Sequence, residues 1–420
     1  MIFVPFIYFA LLTAYWWKKH DGLDLCVYIS GLYTISSFFA VIVVLTDTLG
    51  VSGILFNVED LELNLIPTIL FCAFLTLTFL PFSLIHTKKI ETISSTMPWV
   101  IDGLASILII VGLINFYAVF DSTAEILSGN LWAVREAAYA GDATPAQIKI
   151  DTMPAIFKYF YTLNFATILA LPLYFYYLCC LKRPWWFMLL LLLASLSGPL
   201  AAIQAADRNE FVYYGMMFIY CVIFFYRLMS KKVRRGIYII SGVFATLFAT
   251  YLIAVSVARF DKSTEGASGS IAAYAGQGYL NFCFFWENAN FDLVAPEREF
   301  PMTFHTLAGL DSDDFRRNVR SGQQGFFISV FPTFLGEVML DLSPIGMISW
   351  AIYYFLACML IIKMRERTEY DIGEVVAIFT LAAIPIFGIF YYRYFYYTHA
   401  LITIISALLY LCSKFKLVYK

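Results

Sequence analysis

The sequence predicts an all-α protein built as one bundle of membrane-spanning helices over residues 1–420. Hydrophobic residues make up 61% of the chain and charged residues only 14%, a balance far from that of a water-soluble protein. Apolar runs long enough to cross the roughly 30 Å hydrocarbon core recur along the whole length. Such segments have to be helical, because lipid offers no partner for their backbone groups. No separate soluble domain is expected.

About eleven segments have the length and composition of a span. The first lacks basic residues before it and is followed by Lys18 and Lys19, so we interpret it as a retained span and not as a secretory signal. The predicted spans are residues 1–17, 25–46, 63–83, 98–118, 155–180, 185–203, 209–229, 236–256, 343–362, 372–391 and 396–413.

Basic residues cluster in alternate loops between these spans, and basic loops stay on the cytoplasmic side. The sequence therefore predicts that the amino terminus is outside and the carboxyl terminus inside. The basic residues that set this orientation are Lys18, Lys19, Lys88, Lys89, Lys182, Arg183, Arg227, Lys231, Lys232, Arg234, Arg235, Lys363, Arg365, Arg367, Lys414, Lys416 and Lys420.

Residues 326–340 resemble a span in composition but are short and contain Pro332, Gly336 and Glu337. Counting them as a crossing would put the basic loop at 363–367 outside. We therefore expect a re-entrant or interfacial segment on the outer face.

Two long outer loops, residues 119–154 and 257–342, are the expected functional surface. Most basic residues on this side are arginines, whereas lysine predominates inside. A guanidinium group donates paired hydrogen bonds to phosphate or carboxylate. The alternative is that single arginines pair with acidic loop residues or extend to the lipid interface. The arginines concerned are Arg135, Arg208, Arg316, Arg317, Arg320 and Arg393.

Glu337 is the acidic residue within an otherwise apolar outer segment, which makes it the candidate general base. The alternative is a helix-terminal carboxylate paired with a neighbouring arginine. His305 is a second candidate base or a surface histidine. Tyr274, Tyr279 and Trp286 are candidates for a sugar platform, or they cover the mouth of the bundle.

Metal and nucleotide chemistry have little support in the sequence. Asp311, Asp313 and Asp314 form an acidic run that lacks a metal-binding pattern, so we interpret it as a solvated charge cluster. No nucleotide-binding loop, zinc spacing or nucleophile elbow occurs. We therefore expect no metal, no cofactor and no nucleic-acid partner.

Four stretches carry a resemblance to a known family: LWAVREAAYAG after the fourth predicted span, AADRNEFVYYG at the tip of the sixth and seventh, YAGQGYLNF, and FPTFLGEVMLDLSPIG, which runs into the ninth. Together with the many-span layout and two large outer loops, they resemble the bacterial oligosaccharide repeat unit polymerases, the Wzy-type polymerases of O-antigen and capsule. The likeness covers most of the chain.

The resemblance implies a GT-C-like glycosyltransferase of the bacterial inner membrane, with its active site facing the periplasm. Its substrate would be an oligosaccharide on undecaprenyl diphosphate, and its partners membrane lipid and a chain-length regulator protein. The diphosphates would be held by Arg135, Arg208, Arg393 and one or more of Arg316, Arg317 and Arg320. A carboxylate would take the proton from the acceptor hydroxyl.

Two alternatives remain open. A ligase that moves finished glycan from the same carrier to another lipid would share the arginines and differ in its acceptor. A transporter ranks lower, because the predicted spans carry their ionisable groups near the ends, as at Asp102, Lys158, Glu374 and His399.

Overall fold

The computed structural model describes residues 1–46, 62–128, 145–181, 183–204, 209–260, 266–291, 324, 330–362, 367–393 and 397–414, and within these ranges the protein is all-α apart from one pair of short strands. The described chain contains six helical segments long and apolar enough to cross a membrane. They are Leu25–Thr46, Leu65–Lys89, Pro98–Phe120, Ala155–Cys179, Asn209–Leu228 and Thr333–Ile362.

The elements follow one another with short connections. The helices are α1 (Phe3–Lys19), α2 (Leu25–Thr46), α3 (Leu65–Phe79), α4 (Pro98–Ser128), α5 (Pro145–Thr152), α6 (Ala155–Thr162), α7 (Ala170–Cys179), α8 (Trp185–Ser195), α9 (Ser197–Gln204), α10 (Asn209–Phe225), α11 (Lys231–Phe260), α12 (Gly266–Asn288), α13 (Thr333–Ile362), α14 (Ile372–Phe387) and α15 (Tyr397–Lys414). The strands are β1 (Thr92–Ser94) and β2 (Glu369–Asp371), and 3-10 turns cover Leu80–Leu84, Thr87–Lys89, Leu163–Leu169 and Tyr226–Leu228.

The chain divides into two compact units. The first comprises Met1–His86, Lys262–Arg367 and Thr380–Thr403, and the second comprises Thr87–Asp261, Thr368–Phe379 and Ile404–Lys420. Helices α14 and α15 each contribute residues to both units.

Unit 1 is held together by hydroxyl contacts and an aromatic core. The Thr13 hydroxyl on α1 lies 2.9 Å from Ser30 Oγ on α2. Phe9 and Phe79 pack against the Tyr33 ring with centroids 5.6 Å away in each case. The Tyr33 hydroxyl donates to the Pro385 carbonyl at 2.9 Å, which ties α2 to α14.

Helix α12 packs closely along α2. A Cβ at Gly276 would lie 2.5 Å from the Ala40 nitrogen, so only glycine allows the two backbones this near. The Ser36 hydroxyl donates to the Ala275 carbonyl at 2.8 Å. Because Ser36 and Ala40 lie well inside α2, α12 is covered by protein along its middle turns.

One face of α1 is apolar and exposed. Phe3, Ile7, Leu11 and Tyr15 recur every fourth residue and are all more than a third exposed. Residues four apart share one helix face, so they form a continuous apolar stripe. A stripe of this kind suits contact with lipid.

Helix α13 consists of two parts that meet at Ser343, whose φ of 70° and ψ of 170° are not helical. Residues 333–341 are all buried, whereas Ile345, Tyr353 and Leu360 of the second part are each at least 70% exposed. The first part has ten residues and a length of about 15 Å, roughly half of the hydrocarbon core. It is therefore a short helix enclosed by protein, followed by a long helix with an apolar exposed side.

Unit 2 has its closest helix contact between α4 and α8. A Cβ at Gly112 would lie 2.5 Å from the Ala194 Cα, so the helices meet backbone to backbone at this glycine. The Asn115 side chain donates to the Ser197 carbonyl at 2.9 Å. Ser197 begins α9, immediately after α8 ends beside Leu196, and Pro199 fits this first turn because its missing N–H is not needed there.

Several of the predicted inside loops meet in unit 2. Strands β1 and β2 are parallel, with Thr92 opposite Glu369 and Ser94 opposite Asp371. The Arg227 guanidinium donates to the Lys88 carbonyl at 2.9 Å, and Lys414 forms an ion pair with Glu374.

Candidate functional site

The candidate site is in unit 1, where the start of α13 packs against the turn that follows α14. The backbone N–H groups of Thr333 and Phe334 donate to the carbonyls of Phe390 and Gly388 at 3.1 and 2.9 Å. These are among the N–H groups that a helix cannot satisfy internally, so the turn caps the helix. The Thr333 φ of 65° lies in the left-handed region, which a β-branched residue rarely occupies. Strained residues of this kind concentrate at functional sites.

Glu337 lies on the first turns of α13 and is 2% exposed. One of its carboxylate oxygens accepts a 2.6 Å hydrogen bond from the backbone N–H of Tyr392. Asp341 follows four residues later on the same helix face and is also buried. Burying a carboxylate costs free energy unless hydrogen bonds compensate it, so two on one buried face mark a specialised position.

Arg393 directly follows the residue that binds Glu337, and it is 4% exposed. Its guanidinium carbon lies 5.4 Å from the centroid of the Phe387 ring. The structure therefore brings two of the predicted catalytic residues, Glu337 and Arg393, into one buried region.

Helix α12 supplies two amide side chains that the sequence did not single out. Gln277 and Asn281 are buried, and the Asn281 amide nitrogen donates to the Gln277 side-chain oxygen at 3.2 Å and to the Phe331 carbonyl at 3.3 Å. Within the described ranges, Gln277 Nε2, Asn281 Oδ1 and Thr333 Oγ1 have no hydrogen-bond partner. Buried polar atoms normally have one, so these atoms are available to a ligand or to water.

Close packing holds α12 against Thr333. A Cβ at Gly278 would lie 2.8 Å from the Thr333 methyl carbon and 2.9 Å from the Ile389 carbonyl oxygen. Gln277 and Asn281 flank this contact at helical spacing. The available signal in the sequence was the pair of amides four residues apart in an apolar stretch, YAGQGYLNF.

The three predicted aromatic residues have different surroundings. The Tyr274 ring packs against Phe331 at 5.7 Å, and Phe331 stacks on Tyr391 at 5.6 Å, so Tyr274 borders the candidate site. Trp286 packs near Phe282, with centroids 6.5 Å apart.

Tyr279 belongs to the packing of α12 against α3. Its hydroxyl lies 2.7 Å from the Thr68 hydroxyl oxygen, and its ring packs on Phe71 at 5.1 Å. Burial raises the pKa of the Tyr279 hydroxyl well above its usual range, so the group stays protonated. The remaining predicted site residues, Arg135, Arg208, Arg316, Arg317, Arg320 and His305, lie outside the described residues.

Unit 2 contains a separate apolar groove of about 480 Å³ along α4 and α8. It is lined by Gly112, Leu113, Phe116, Tyr117, Phe120, Lys149, Leu190, Leu193 and Ala194. The Lys149 ammonium lies 4.1 Å from the centroid of the Tyr117 ring, a cation–π contact. An apolar groove with one cation suits an amphiphile that carries an anionic group.

No protein-family model, no curated protein and no solved structure matches the chain. The case for a function rests on these residues and on the sequence motifs.

Proposed function

We propose that the chain is a polysaccharide polymerase of the bacterial cytoplasmic membrane, which joins oligosaccharide repeat units carried on undecaprenyl diphosphate at the outer face. The observation that carries the proposal is the convergence of Glu337 and Arg393 in one buried region, beside the unsatisfied polar atoms of Gln277, Asn281 and Thr333. Such a set combines a carboxylate, a guanidinium and neutral hydrogen-bonding groups, which are the functional groups that a sugar diphosphate engages.

The proposed reaction is a glycosyl transfer. The acceptor hydroxyl oxygen forms a bond to the anomeric carbon of the donor sugar, and the bond between that carbon and the diphosphate oxygen breaks. The lipid diphosphate leaves with the bonding electron pair. Glu337 takes the acceptor proton, and Arg393 stabilises the charge that develops on the leaving group.

The other predicted arginines extend this proposal. Arg208 at the tip of the sixth and seventh predicted spans would contact a carrier diphosphate, and Arg135, Arg316, Arg317 and Arg320 would hold the diphosphates from the two outer loops. Tyr274 would contribute to sugar binding from the border of the site, with Tyr279, Trp286 and His305 as further candidates.

The proposed architecture is a GT-C-like bundle of about eleven spans, with the amino terminus outside and the carboxyl terminus inside. The pairing of β1 with β2 supports it. Residues 92–94 and 369–371 have to lie on one side of the membrane to pair, so the chain between them crosses an even number of times. The predicted spans from 98–118 to 343–362 satisfy this requirement, and one further crossing by residues 326–340 alone would break it.

The short, buried first part of α13 also supports a re-entrant segment at residues 326–340. A non-spanning segment at membrane depth is tolerated where protein encloses it. The Asn64 side chain before α3 donates to Glu287 near the end of α12 at 2.8 Å. That contact agrees with the predicted outer position of both residues.

The groove along α4 and α8 supports a lipid-borne substrate. Its apolar lining suits an isoprenoid chain, and Lys149 adds a positive charge for an anionic group.

The test is synthesis by the purified protein in lipid nanodiscs, given undecaprenyl-diphosphate-linked repeat units. A ladder of products of increasing length supports the polymerase, and unchanged substrate contradicts it. In cells that lack the gene, lipid A core carrying a single repeat unit indicates a missing polymerase. Core without any attached sugar indicates instead a missing ligase.

Transport is the second candidate, and one observation favours it. Glu337, Asp341 and Arg393 are buried ionisable residues within an apolar bundle, a pattern also found at ion and solute pathways. Counterflow of a labelled solute in proteoliposomes that contain only this protein would support transport over transfer.

A further inference from the structure

Two of the four histidines of the chain meet an aspartate in unit 1, away from the Glu337 site. His20 follows α1, Asp24 precedes α2, and His86 lies after α3 between two 3-10 turns. The candidate ligand atoms of the three side chains all lie within 4.8 Å of one another. The sequence gave no signal for this cluster, because His86 is far from the other two residues along the chain.

Asp24 orients the His20 ring. One Asp24 carboxylate oxygen lies 2.9 Å from His20 Nδ1, and the other accepts a 2.8 Å hydrogen bond from the Leu25 backbone N–H. A carboxylate accepts hydrogen bonds, so the His20 proton is on Nδ1 in the neutral ring and Nε2 has the lone pair. A histidine held this way by a carboxylate is typical of metal ligands.

His86 is held against the same ring. The His20 and His86 rings are stacked, with centroids 4.3 Å apart and an angle of 22° between their planes. His20 and Asp24 are buried, whereas His86 is partly exposed. The cluster therefore has two fixed members and one that can adjust and that solvent can reach.

We propose that this cluster is a binding site for a transition-metal ion of the zinc class, with His20 and His86 as nitrogen ligands and Asp24 as the carboxylate that positions His20. Zinc–nitrogen bonds of about 2.0–2.1 Å place two ligands of a tetrahedral ion roughly 3.4 Å apart. A shift of about one ångström by the partly exposed His86 brings the ligand atoms to that separation.

The surroundings select the type of metal. Lys18, Lys19, Lys88 and Lys89 are close in sequence, and their charge opposes any cation. Coordination by imidazole has to outweigh that repulsion, so Zn²⁺, Co²⁺ or Ni²⁺ should bind, whereas Mg²⁺ and Ca²⁺, which prefer oxygen ligands, should not. The bound ion would join the end of α1, the start of α2 and the segment after α3.

The experiment uses untagged full-length protein in detergent, stripped with a chelator and titrated with zinc chloride by calorimetry. The wild type should bind one equivalent of Zn²⁺ and no Mg²⁺ or Ca²⁺. His86→Ala should weaken zinc binding by at least tenfold, and Asp24→Asn by about tenfold to a hundredfold. His399→Ala is the control that removes a histidine elsewhere, and it should bind as the wild type does.

Asp24 also contacts the first turn of α2, so loss of binding in its variant has to be separated from misfolding. Cobalt chloride added to the wild-type protein gives that second measurement, because nitrogen-ligated Co²⁺ of low coordination number absorbs strongly in the visible range. A spectrum identical to that of aqueous Co²⁺, or zinc binding that His86→Ala leaves unchanged, overturns the proposal.

Discussion

The carboxylate of Glu337 accepts a 2.6 Å hydrogen bond from the backbone N–H of Tyr392. This contact joins the buried start of α13 to the turn that carries Arg393. Because the donor belongs to the backbone, substitution of Tyr392 keeps the bond, whereas the acceptor depends on the side chain at position 337. The relationship makes it feasible to separate the packing role of Glu337 from its proposed chemistry.

Glu337→Gln should abolish polymer formation while the protein stays folded. The glutamine carbonyl oxygen can still accept the Tyr392 hydrogen bond, but the amide cannot take a proton from an acceptor hydroxyl. The measurement is the product ladder from purified variant and lipid-linked repeat units, with thermal stability recorded in parallel. Glu369→Gln, at an exposed position of β2, is the matched control and should keep activity. Normal polymer length from Glu337→Gln would eliminate Glu337 as the base.

Arg393→Lys should lower the polymerisation rate by about tenfold or more, which corresponds to roughly 1.4 kcal/mol of transition-state stabilisation. Lysine keeps the charge but lacks the planar fork that pairs with a diphosphate. Initial rates at saturating substrate provide the measurement. Arg183→Lys is the control, because Arg183 is partly exposed and pairs with Asp102. A wild-type rate for Arg393→Lys would leave charge alone as the role of the residue.

Gly112→Ala should destabilise the protein by about 1–3 kcal/mol, since the added methyl group would meet the α8 backbone at Ala194. Gly103 is on the same helix and has open space around it, so Gly103→Ala should be neutral or slightly stabilising. Thermal unfolding in one detergent compares the two variants. Equal melting temperatures would show that α4 and α8 do not meet at Gly112.

Single-cysteine labelling should find Asn288 outside and Thr368 inside. Both positions are exposed, and the eight native cysteines, which are all free thiols, are first replaced by serine. An impermeant maleimide should label Asn288→Cys in intact cells and Thr368→Cys only after the membrane is opened. Labelling of Thr368→Cys in intact cells would contradict the proposed orientation.

The all-α prediction is confirmed, and several helix boundaries agree with it closely. Residues 1–17 and 25–46 were predicted as spans, and α1 and α2 cover Phe3–Lys19 and Leu25–Thr46. These segments are predictable because each is a long apolar run that ends at polar residues. Within the predicted span 155–180, the helix is interrupted by a 3-10 stretch at Leu163–Leu169, which hydropathy does not detect.

The candidate site was only partly predictable. Glu337 and Arg393 attract attention because an ionisable residue is unusual in an apolar segment. Gln277 and Asn281 carry no charge, and the small residues of α12 lower its hydropathy, so no signal marked this helix as one that packs along α2. Those small residues, Gly276 and Gly278, are what allow the close approach. Contacts such as His20 with His86 depend on the tertiary fold.

The pairing of β1 with β2 also constrains how the chain is made. Thr96 and Asp371, which are hydrogen-bonded beside these strands, are 275 residues apart. At about 5–20 residues per second, a ribosome needs roughly 14–55 s to bridge that distance. Over this interval the early helices enter the bilayer and wait without their partner strand. A nascent chain arrested before residue 369 would therefore lack the clamp, and its early helices would be exposed to quality-control proteases until synthesis is nearly complete.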